Sequence, residues 1–284
     1  MSGRRGLWRE AGTRLAANRA AVASLVLLAA LGLLSLVGPW LSPFAADELD
    51  WQHMGIPPDL ASGHWLGTDR LGRDLFVRTL EGTRLSLAVA LLATAVSLAI
   101  GVAWGATAGY AGGRSDALIM RGVDVLYALP TIFFVIVLTV AFGRSPGVLV
   151  FAIGAVGWLT MARVVRGQSL ALMQREFIEA SVSAGAGPLR IITRHLVPNL
   201  TGTVTVYATL MIPQMILVES FLSFLGIGIQ EPLASLGNLI ADGAAEMEVA
   251  PWILLVPASV LVIIVFCFNF LGDGLRDALD PRQR

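Results

Sequence analysis

EFIEASVSAGAGPLRIITRHLVPNL, running from Glu176 to Leu200, is a polar, arginine-bearing stretch between two long apolar runs. Its first half has helical spacing. A Gly-Pro step then breaks the helix, and Pro188 can begin a second one with Leu189, Ile192 and Leu196 on one face. A loop between membrane spans needs no such order unless another molecule docks on it. Periodicity alone is equally compatible with an amphipathic helix lying on the lipid interface.

The composition is that of a membrane protein. Of 284 residues, 56% are hydrophobic and 14% are charged, and the mean hydropathy is +0.74, whereas soluble domains have about 25% charged residues. The net charge of zero gives no reason to expect nucleic acid as a partner. All twenty basic residues are arginines, which excludes a phosphate-loop lysine or a Schiff-base lysine in this chain.

The apolar runs predict an all-α, polytopic membrane protein with six transmembrane helices, because each span needs ~20 mostly apolar residues. The first run is longer than a signal-peptide core and lacks a small-residue cleavage site, so we interpret it as a retained span. The six predicted spans are 20–41, 85–110, 117–142, 147–165, 200–225 and 251–271.

The arginine distribution predicts the orientation. With the N-terminus inside, fifteen of the twenty arginines lie on the inner side, so both termini are expected to be cytoplasmic. The predicted segments are a cytoplasmic N-terminal segment 1–19, the first span 20–41, an outer first long loop 42–84, a five-helix core 85–272 and a cytoplasmic tail 273–284. Within the core, we distinguish an inner central loop 166–199 and an outer second long loop 226–250.

Gly67–Asp74 in the first long loop superficially resembles a phosphate-binding loop. However, Arg73 stands where lysine is required and Asp74 where serine or threonine is required. We therefore interpret the segment as a turn-rich cap whose arginines and aspartates pair with each other. Near the predicted inner face, Arg121 and Asp124 are also expected to pair.

Two features of the spans suggest close packing or a pathway. Gly101, Gly105 and Gly109 form a tandem GxxxG pattern, which favours helix packing within the chain, with a subunit contact as the alternative. Pro130 and Pro257 interrupt the third and sixth spans. Glu219 is an acid deep in the fifth span, and Pro213 interrupts that same span. Both are candidates for the translocation pathway, although Glu219 could equally be hydrogen-bonded to Ser220 or to another helix.

No catalytic set is predicted in this chain. The three histidines (His53, His64 and His195) lack metal-ligand spacing, so no metal site is expected. We find no arrangement typical of a hydrolase. The chain is therefore not expected to be an enzyme.

Several motifs together resemble the C-type permeases of ABC importers for oligopeptides, dipeptides and nickel, and within them look closest to the oligopeptide permeases. The resemblance covers nearly the whole chain. Its motifs are HWLGTD at 64–69 with GRD at 72–74, VDVL at 123–126 with Pro130, EA at 179–180 with Gly185 and Pro198-Asn199, SFLGIG at 223–228, and GDGLRDALDP at 272–281. Ser181 departs from the EAA pattern by one small residue for another.

The resemblance implies a type I ABC importer permease fold in the bacterial cytoplasmic membrane. It implies four partners besides membrane lipid: a homologous B-type permease, two ATPase subunits and an extracytoplasmic peptide-binding protein. ATP and Mg²⁺ would be bound by the ATPase subunits, and this chain would hold no cofactor. The residues it assigns to ATPase coupling are Glu176, Glu179, Ala180, Ser181, Gly185 and Pro198.

Three alternatives remain open at this point. The same architecture could carry dipeptides, nickel chelate or glutathione. A secondary transporter driven by an ion gradient would require paired intramembrane charges and inverted repeats, and Glu219 is the one candidate charge. A membrane scaffold whose central loop recruits a soluble protein is the third.

Overall fold

A computed structural model describes residues 2–279, with side chains from Arg9 onward. Helices dominate this range, and its β-structure is limited to one isolated bridge between Thr68 and Asp74. This confirms the all-α prediction. The α-helices are α1 Ser2–Ala17, α2 Arg19–Val37, α3 Leu75–Ala111, α4 Gly113–Tyr127, α5 Thr131–Phe142, α6 Pro146–Met173, α7 Glu176–Ser183, α8 Pro188–Ile191, α9 Val197–Phe224, α10 Leu236–Ala245 and α11 Pro251–Leu279. A 3₁₀ turn at Gly38–Trp40 follows α2, and a π-helical turn at Ile192–Leu196 joins α8 to α9.

Five helical segments of the described chain are long and apolar enough to cross a membrane, and a sixth is obtained if α4 and α5 count as one bent span. Those two helices meet at an angle of 80°. Pro130 lies at the break because it lacks an N–H and disfavours helical conformation in the residue before it. The predicted third span over 117–142 is therefore bent at Pro130, and its predicted interruption there is confirmed. Pro213 and Pro257 lie inside unbroken helices.

Several helices extend beyond the predicted spans, and α6, for example, continues to Met173 rather than ending at residue 165. α3 begins at Leu75 rather than at residue 85, because the Asp74 side chain accepts a hydrogen bond from the Val77 N–H (2.8 Å) and caps the helix. α11 continues to Leu279, so the described part of the predicted tail is helical. Residues 280–284, which include the end of the GDGLRDALDP motif, lie outside the described residues.

The tandem glycines of α3 form a close seam with α6. A Cβ added at Gly101 would lie 2.6 Å from the Met161 Cβ. At Gly105 an added Cβ would meet Ala162, and at Gly109 it would meet Ser169. Such approach of two backbones is what the GxxxG spacing permits, so the predicted packing within the chain is confirmed.

The second long loop is ordered by α10, which lies across α9 and α11. Ser235 and Asn238 form a reciprocal capping box that starts this helix. Gly237 packs against Ser220 of α9, and Gly243 packs against Leu254 of α11. The loop is therefore a packed cap on the bundle.

Candidate functional site

The central loop contains two short helices joined by a fixed bend. At the end of α7, the Ala186 N–H donates to the Ser181 carbonyl (3.0 Å) and the Gly185 N–H donates to the Val182 carbonyl (2.9 Å). Gly185 has a φ of +81°, the left-handed conformation that this helix cap requires. The predicted bend is confirmed, and it is set by local backbone bonds.

The two helices of this loop have a buried face and an exposed face. Ile178, Ile191 and Leu196 are buried in the main core of the bundle. Phe177 is 45% exposed and Leu189 is 74% exposed. The prediction that Leu189 and Leu196 share one face is wrong, because the chain adopts a π-helical turn between them and the helical spacing changes there.

The predicted coupling residues lie on or beside the exposed face. An added Cβ at Gly185 would meet no atom within 4 Å, so the space in front of this glycine is open. The structure exposes Glu176, Glu179, Ala180 and Gly185, and it leaves Ser181 and Pro198 partly buried. Their role in docking stays a prediction.

The π-helical turn connects this surface directly to the membrane-spanning part of α9. It begins one residue after buried Ile191 and ends at buried Leu196. Short π-helical segments frequently lie at functional sites. The central loop is therefore joined to α9 through a helical segment with buried residues at both ends.

A polar cluster surrounds Glu219 at the far end of α9. The Ser86 hydroxyl donates to Glu219 Oε2 (2.7 Å), and the Ser223 hydroxyl donates to Glu219 Oε1 (2.8 Å). Ser86 in turn accepts from the Leu236 N–H (3.2 Å) at the start of α10. Glu219 thus joins α3, α9 and α10, and its exposure is 0%.

Glu219 is therefore hydrogen-bonded within this chain, which was one of the two alternatives predicted for it. Ser220 also contacts Glu219, at 3.3 Å. Pro213 is buried on the same helix. Their place in a translocation pathway stays a prediction. Ser86 was not among the predicted residues, because it lies 133 residues away from Glu219 in the sequence.

The GTDRLGRD segment forms an ion-pair network, as predicted. Arg73 contacts Asp69 (Nε to Oδ2, 2.6 Å) and Glu231 of the second long loop (Nη1 to Oε1, 2.9 Å). Arg78, which is almost fully buried, lies 3.6 Å from the same Asp69 carboxylate. The network fastens the two long loops together beside the start of α3.

Two of the three histidines lie together in the first long loop, which the sequence spacing does not indicate. His53 Nδ1 lies 2.8 Å from Asp50 Oδ2, and His64 Nε2 lies 3.4 Å from the same oxygen. The His53 hydrogen bond lowers the pKa of Asp50 to about 2. Asp50 is therefore a carboxylate at neutral pH.

Two ion pairs join α4 to α6 at the end of the bundle near the central loop. Arg166 binds Asp116 through two hydrogen bonds of 2.6 and 2.5 Å, and Arg163 binds Asp124 at 2.8 Å. The predicted pairing of Arg121 with Asp124 is wrong, because Arg163 reaches this carboxylate from the neighbouring helix while also stacking on the Tyr127 ring at 3.9 Å.

Comparison with known proteins shows which family the chain belongs to. The family described as "Binding-protein-dependent transport system inner membrane component" matches residues 101–284. The chain belongs to this family of transport permeases. A second family description, "N-terminal TM domain of oligopeptide transport permease C", matches residues 6–58 of the permease. It is a multi-pass membrane protein of the ABC importer type.

Individual relatives match the permease over almost its whole length. It is 52% identical over 280 residues to the oligopeptide transport system permease protein of Escherichia coli K12, covering 99% of this chain and 93% of the relative. It is 49% identical to the Haemophilus influenzae protein of the same name, covering 99% and 90%. It is also 44% identical over 276 residues to the dipeptide transport system permease protein of Bacillus subtilis, covering 97% and 86%.

Proposed function

We propose that this permease moves oligopeptides into the bacterial cell by alternating access, driven by separate ATPase subunits. The near full-length match to permeases named for oligopeptide transport carries the proposal. In this arrangement the chain carries out no covalent chemistry, and ATP and Mg²⁺ are bound by the ATPase subunits. Both termini are cytoplasmic, in keeping with the arginine bias toward that side.

The central loop is the surface that meets one ATPase subunit. Its buried face, at Ile178 and Ile191, holds the loop on the bundle, and its exposed face offers Phe177, Glu179 and Leu189 to a partner. Exposed aromatic and aliphatic side chains on a rigid, anchored element are typical of docking surfaces. Closure of the ATPase subunits would push this loop and, through the π-helical turn, α9.

The B-type permease is proposed to pack beside α5. This helix buries Val135 and Thr139 and leaves large apolar side chains uncovered on its other faces. Phe133 and Phe142 are 68% and 72% exposed. Lipid can cover such side chains, but a helix held to its own bundle along one stripe also leaves a broad face for a second permease subunit.

Dipeptides are the second candidate cargo, because a dipeptide permease is 44% identical to this chain. Nickel chelate and glutathione importers would share the architecture. An ion-driven mechanism is less favoured, since Glu219 is held by three hydroxyl groups of its own chain at 2.7 to 3.3 Å. An extracytoplasmic binding protein would deliver the cargo and select it.

The test is uptake into proteoliposomes that contain this permease, its B-type partner, the ATPase subunits, the binding protein and ATP. Labelled oligopeptide, dipeptide and nickel chelate are supplied in parallel, and vesicles lacking this chain are the control. We expect ATP-dependent accumulation of oligopeptide that requires the chain. Accumulation of dipeptide or nickel chelate without oligopeptide would overturn the cargo assignment, and accumulation without ATP would overturn the mechanism.

A further inference from the structure

The histidine cluster of the first long loop has no role in the transport function proposed above. Asp50, His53 and His64 each offer one ligand atom, and these three atoms all lie within 4.8 Å of one another. Asp50 and His53 are half-buried, with side-chain exposures of 26% and 39%, whereas the His64 side chain is 1% exposed. The three side chains therefore form a cluster that is buried at His64 and partly exposed at Asp50 and His53.

His64 faces a carboxylate oxygen on each side of its ring. Its Nδ1 lies 2.9 Å from Asp74 Oδ2, and its Nε2 lies 3.4 Å from Asp50 Oδ2. A neutral imidazole has one N–H and so can donate to one of the two. The lone pair of the other nitrogen would then face the second carboxylate, which is unfavourable unless a positive charge lies between them.

Asp74 is the nearer of the two carboxylates and so favours a proton on His64 Nδ1. Its Oδ1 accepts the Val77 N–H (2.8 Å) and is fixed there as the cap of α3, and its Oδ2 faces His64 Nδ1. Phe44 stacks on the His64 ring at 4.0 Å and holds its plane. A carboxylate that binds the Nδ1–H of a histidine, orients the ring and leaves Nε2 as a free ligand is a recurrent arrangement behind metal-bound histidines.

We propose that Asp50, His53 and His64 bind a zinc ion through Asp50 Oδ2, His53 Nδ1 and His64 Nε2. Two imidazoles and one carboxylate are a ligand set that Zn²⁺ accepts, and hard Mg²⁺ or Ca²⁺ would favour oxygen ligands. Zinc ligands lie about 2.0–2.1 Å from the metal, which places tetrahedral ligand atoms roughly 3.3–3.4 Å apart. The Asp50–His64 separation of 3.4 Å already meets this condition.

His53 needs a small side-chain rotation, because its Nδ1 now lies 2.8 Å from Asp50 Oδ2 and the three ligand atoms lie within 4.8 Å rather than about 3.4 Å of one another. Its partial exposure leaves room for that rotation. The fourth position of the metal would face the partly exposed side of the cluster and take a water molecule. Bound zinc would tie the turn at Asp50–His53 to His64 and, through Asp74, to the start of α3.

The experiment is zinc titration of the full-length permease purified in detergent with a tag that contains no histidine. After removal of metal with EDTA, isothermal titration with zinc chloride is compared among the parent, His53→Ala, His53→Gln and Asp50→Asn. The matched control is His195→Ala, which removes the one histidine outside the cluster. X-ray absorption of the zinc-loaded parent reports the ligands directly.

We expect one zinc ion per parent chain and unchanged zinc binding in His195→Ala. Loss of an outer partner such as Asp74 typically weakens metal binding by about 10–100-fold. Loss of a direct ligand should therefore cost at least about tenfold in His53→Ala, His53→Gln and Asp50→Asn. His53→Gln keeps a polar side chain at the position, so a defect shared by both His53 variants, with parent-like elution and circular dichroism, reports the lost ligand.

Absence of stoichiometric zinc binding in the parent would overturn the proposal. Parent-like affinity in the folded His53 and Asp50 variants would overturn it as well, because the zinc would then be bound elsewhere. An X-ray absorption spectrum that shows no imidazole ligand on the zinc would also overturn the proposal.

Discussion

The central loop and the cap formed by the two long loops are both polar segments of an apolar chain, yet they are built in opposite ways. None of the ion pairs among the described residues involves positions 176–200, and the loop leaves Phe177 and Leu189 uncovered. In the cap, Arg73, Asp69 and Glu231 satisfy one another across two loops. The proposed docking surface thus leaves large apolar side chains exposed, whereas the charged groups of the cap pair with one another.

The largest effect is expected from breaking the cap at Arg73. Arg73→Ala leaves the Asp69 carboxylate, whose side chain is 6% exposed, without its closest cation. Removing one partner of a buried pair typically costs about 3–5 kcal/mol. Thermal unfolding in detergent should show a large drop in the transition temperature.

Arg84→Ala is the control for that change. Arg84 is 49% exposed and lies 3.8 Å from Glu81, and exposed pairs contribute about 1 kcal/mol or less. Equal transition temperatures for the two variants would show that the cap does not depend on its buried pairs.

The adjacent residues Phe177 and Ile178 separate docking from folding in the central loop. Ile178→Ala removes a side chain that is 1% exposed, so it should cost about 2–5 kcal/mol of stability. Phe177→Ala should change stability by about 0.5 kcal/mol or less. It should nevertheless weaken binding of the ATPase subunits, since truncating a central aromatic side chain of an interface can cost about 2 kcal/mol or more.

Thermal unfolding and co-purification of the ATPase subunits measure the two quantities. If Phe177→Ala retains the ATPase subunits as well as the parent, the exposed face of α7 is not the docking surface. A Phe177→Leu variant, which keeps an apolar side chain, should lose less binding than the alanine variant.

The seam between α3 and α6 should respond with a smaller effect. Gly101→Ala places a Cβ 2.6 Å from the Met161 Cβ, and such overpacking typically costs about 1–3 kcal/mol. Gly122→Ala, on the exposed side of α4, meets nothing within 4 Å and should stabilise by up to about 1 kcal/mol through helix propensity. Opposite shifts in transition temperature are expected, and shifts of the same sign would contradict the seam.

The smallest effect concerns Asp242 of α10, beneath the cap. Burial raises the pKa of this carboxyl above its usual value. The folded state therefore binds a proton more readily than the unfolded state, and this group makes stability fall as pH rises above about 4. Asp242→Asn should reduce that fall and stabilise slightly at pH 7, and an unchanged pH profile of the transition temperature would contradict the assignment.

The sequence predicted features that depend on neighbouring residues. The Gly-Pro break at Pro188, the interruption at Pro130 and the glycine seam of α3 all follow from local backbone properties. The start of α3 at Leu75 was missed because Arg78, Glu81 and Arg84 made its first turns too polar for a predicted membrane span.

Features that depend on the tertiary fold were not predictable in this way. Glu219 is hydrogen-bonded to Ser86, which lies 133 residues away in the sequence. Asp124 binds Arg163 on another helix and not Arg121 on its own helix. His53 and His64 come together because a loop folds back on the cap of α3, for which no sequence spacing gives a signal. Long-range polar contacts are set by how helices pack, and helix spacing alone does not determine that packing.

The exposed central loop is proposed to couple this permease to its ATPase subunits. A direct test compares Gly185→Arg with Gly143→Arg in the reconstituted importer, recording ATP-dependent uptake and retention of all subunits. Both glycines have a positive φ and face open space, so both variants carry the same kind of backbone strain. Gly185 lies on the proposed docking surface, whereas Gly143 lies between α5 and α6. We expect uptake to be lost in Gly185→Arg and kept in Gly143→Arg, with this chain folded in both. Uptake by Gly185→Arg at the parent rate would refute the coupling role.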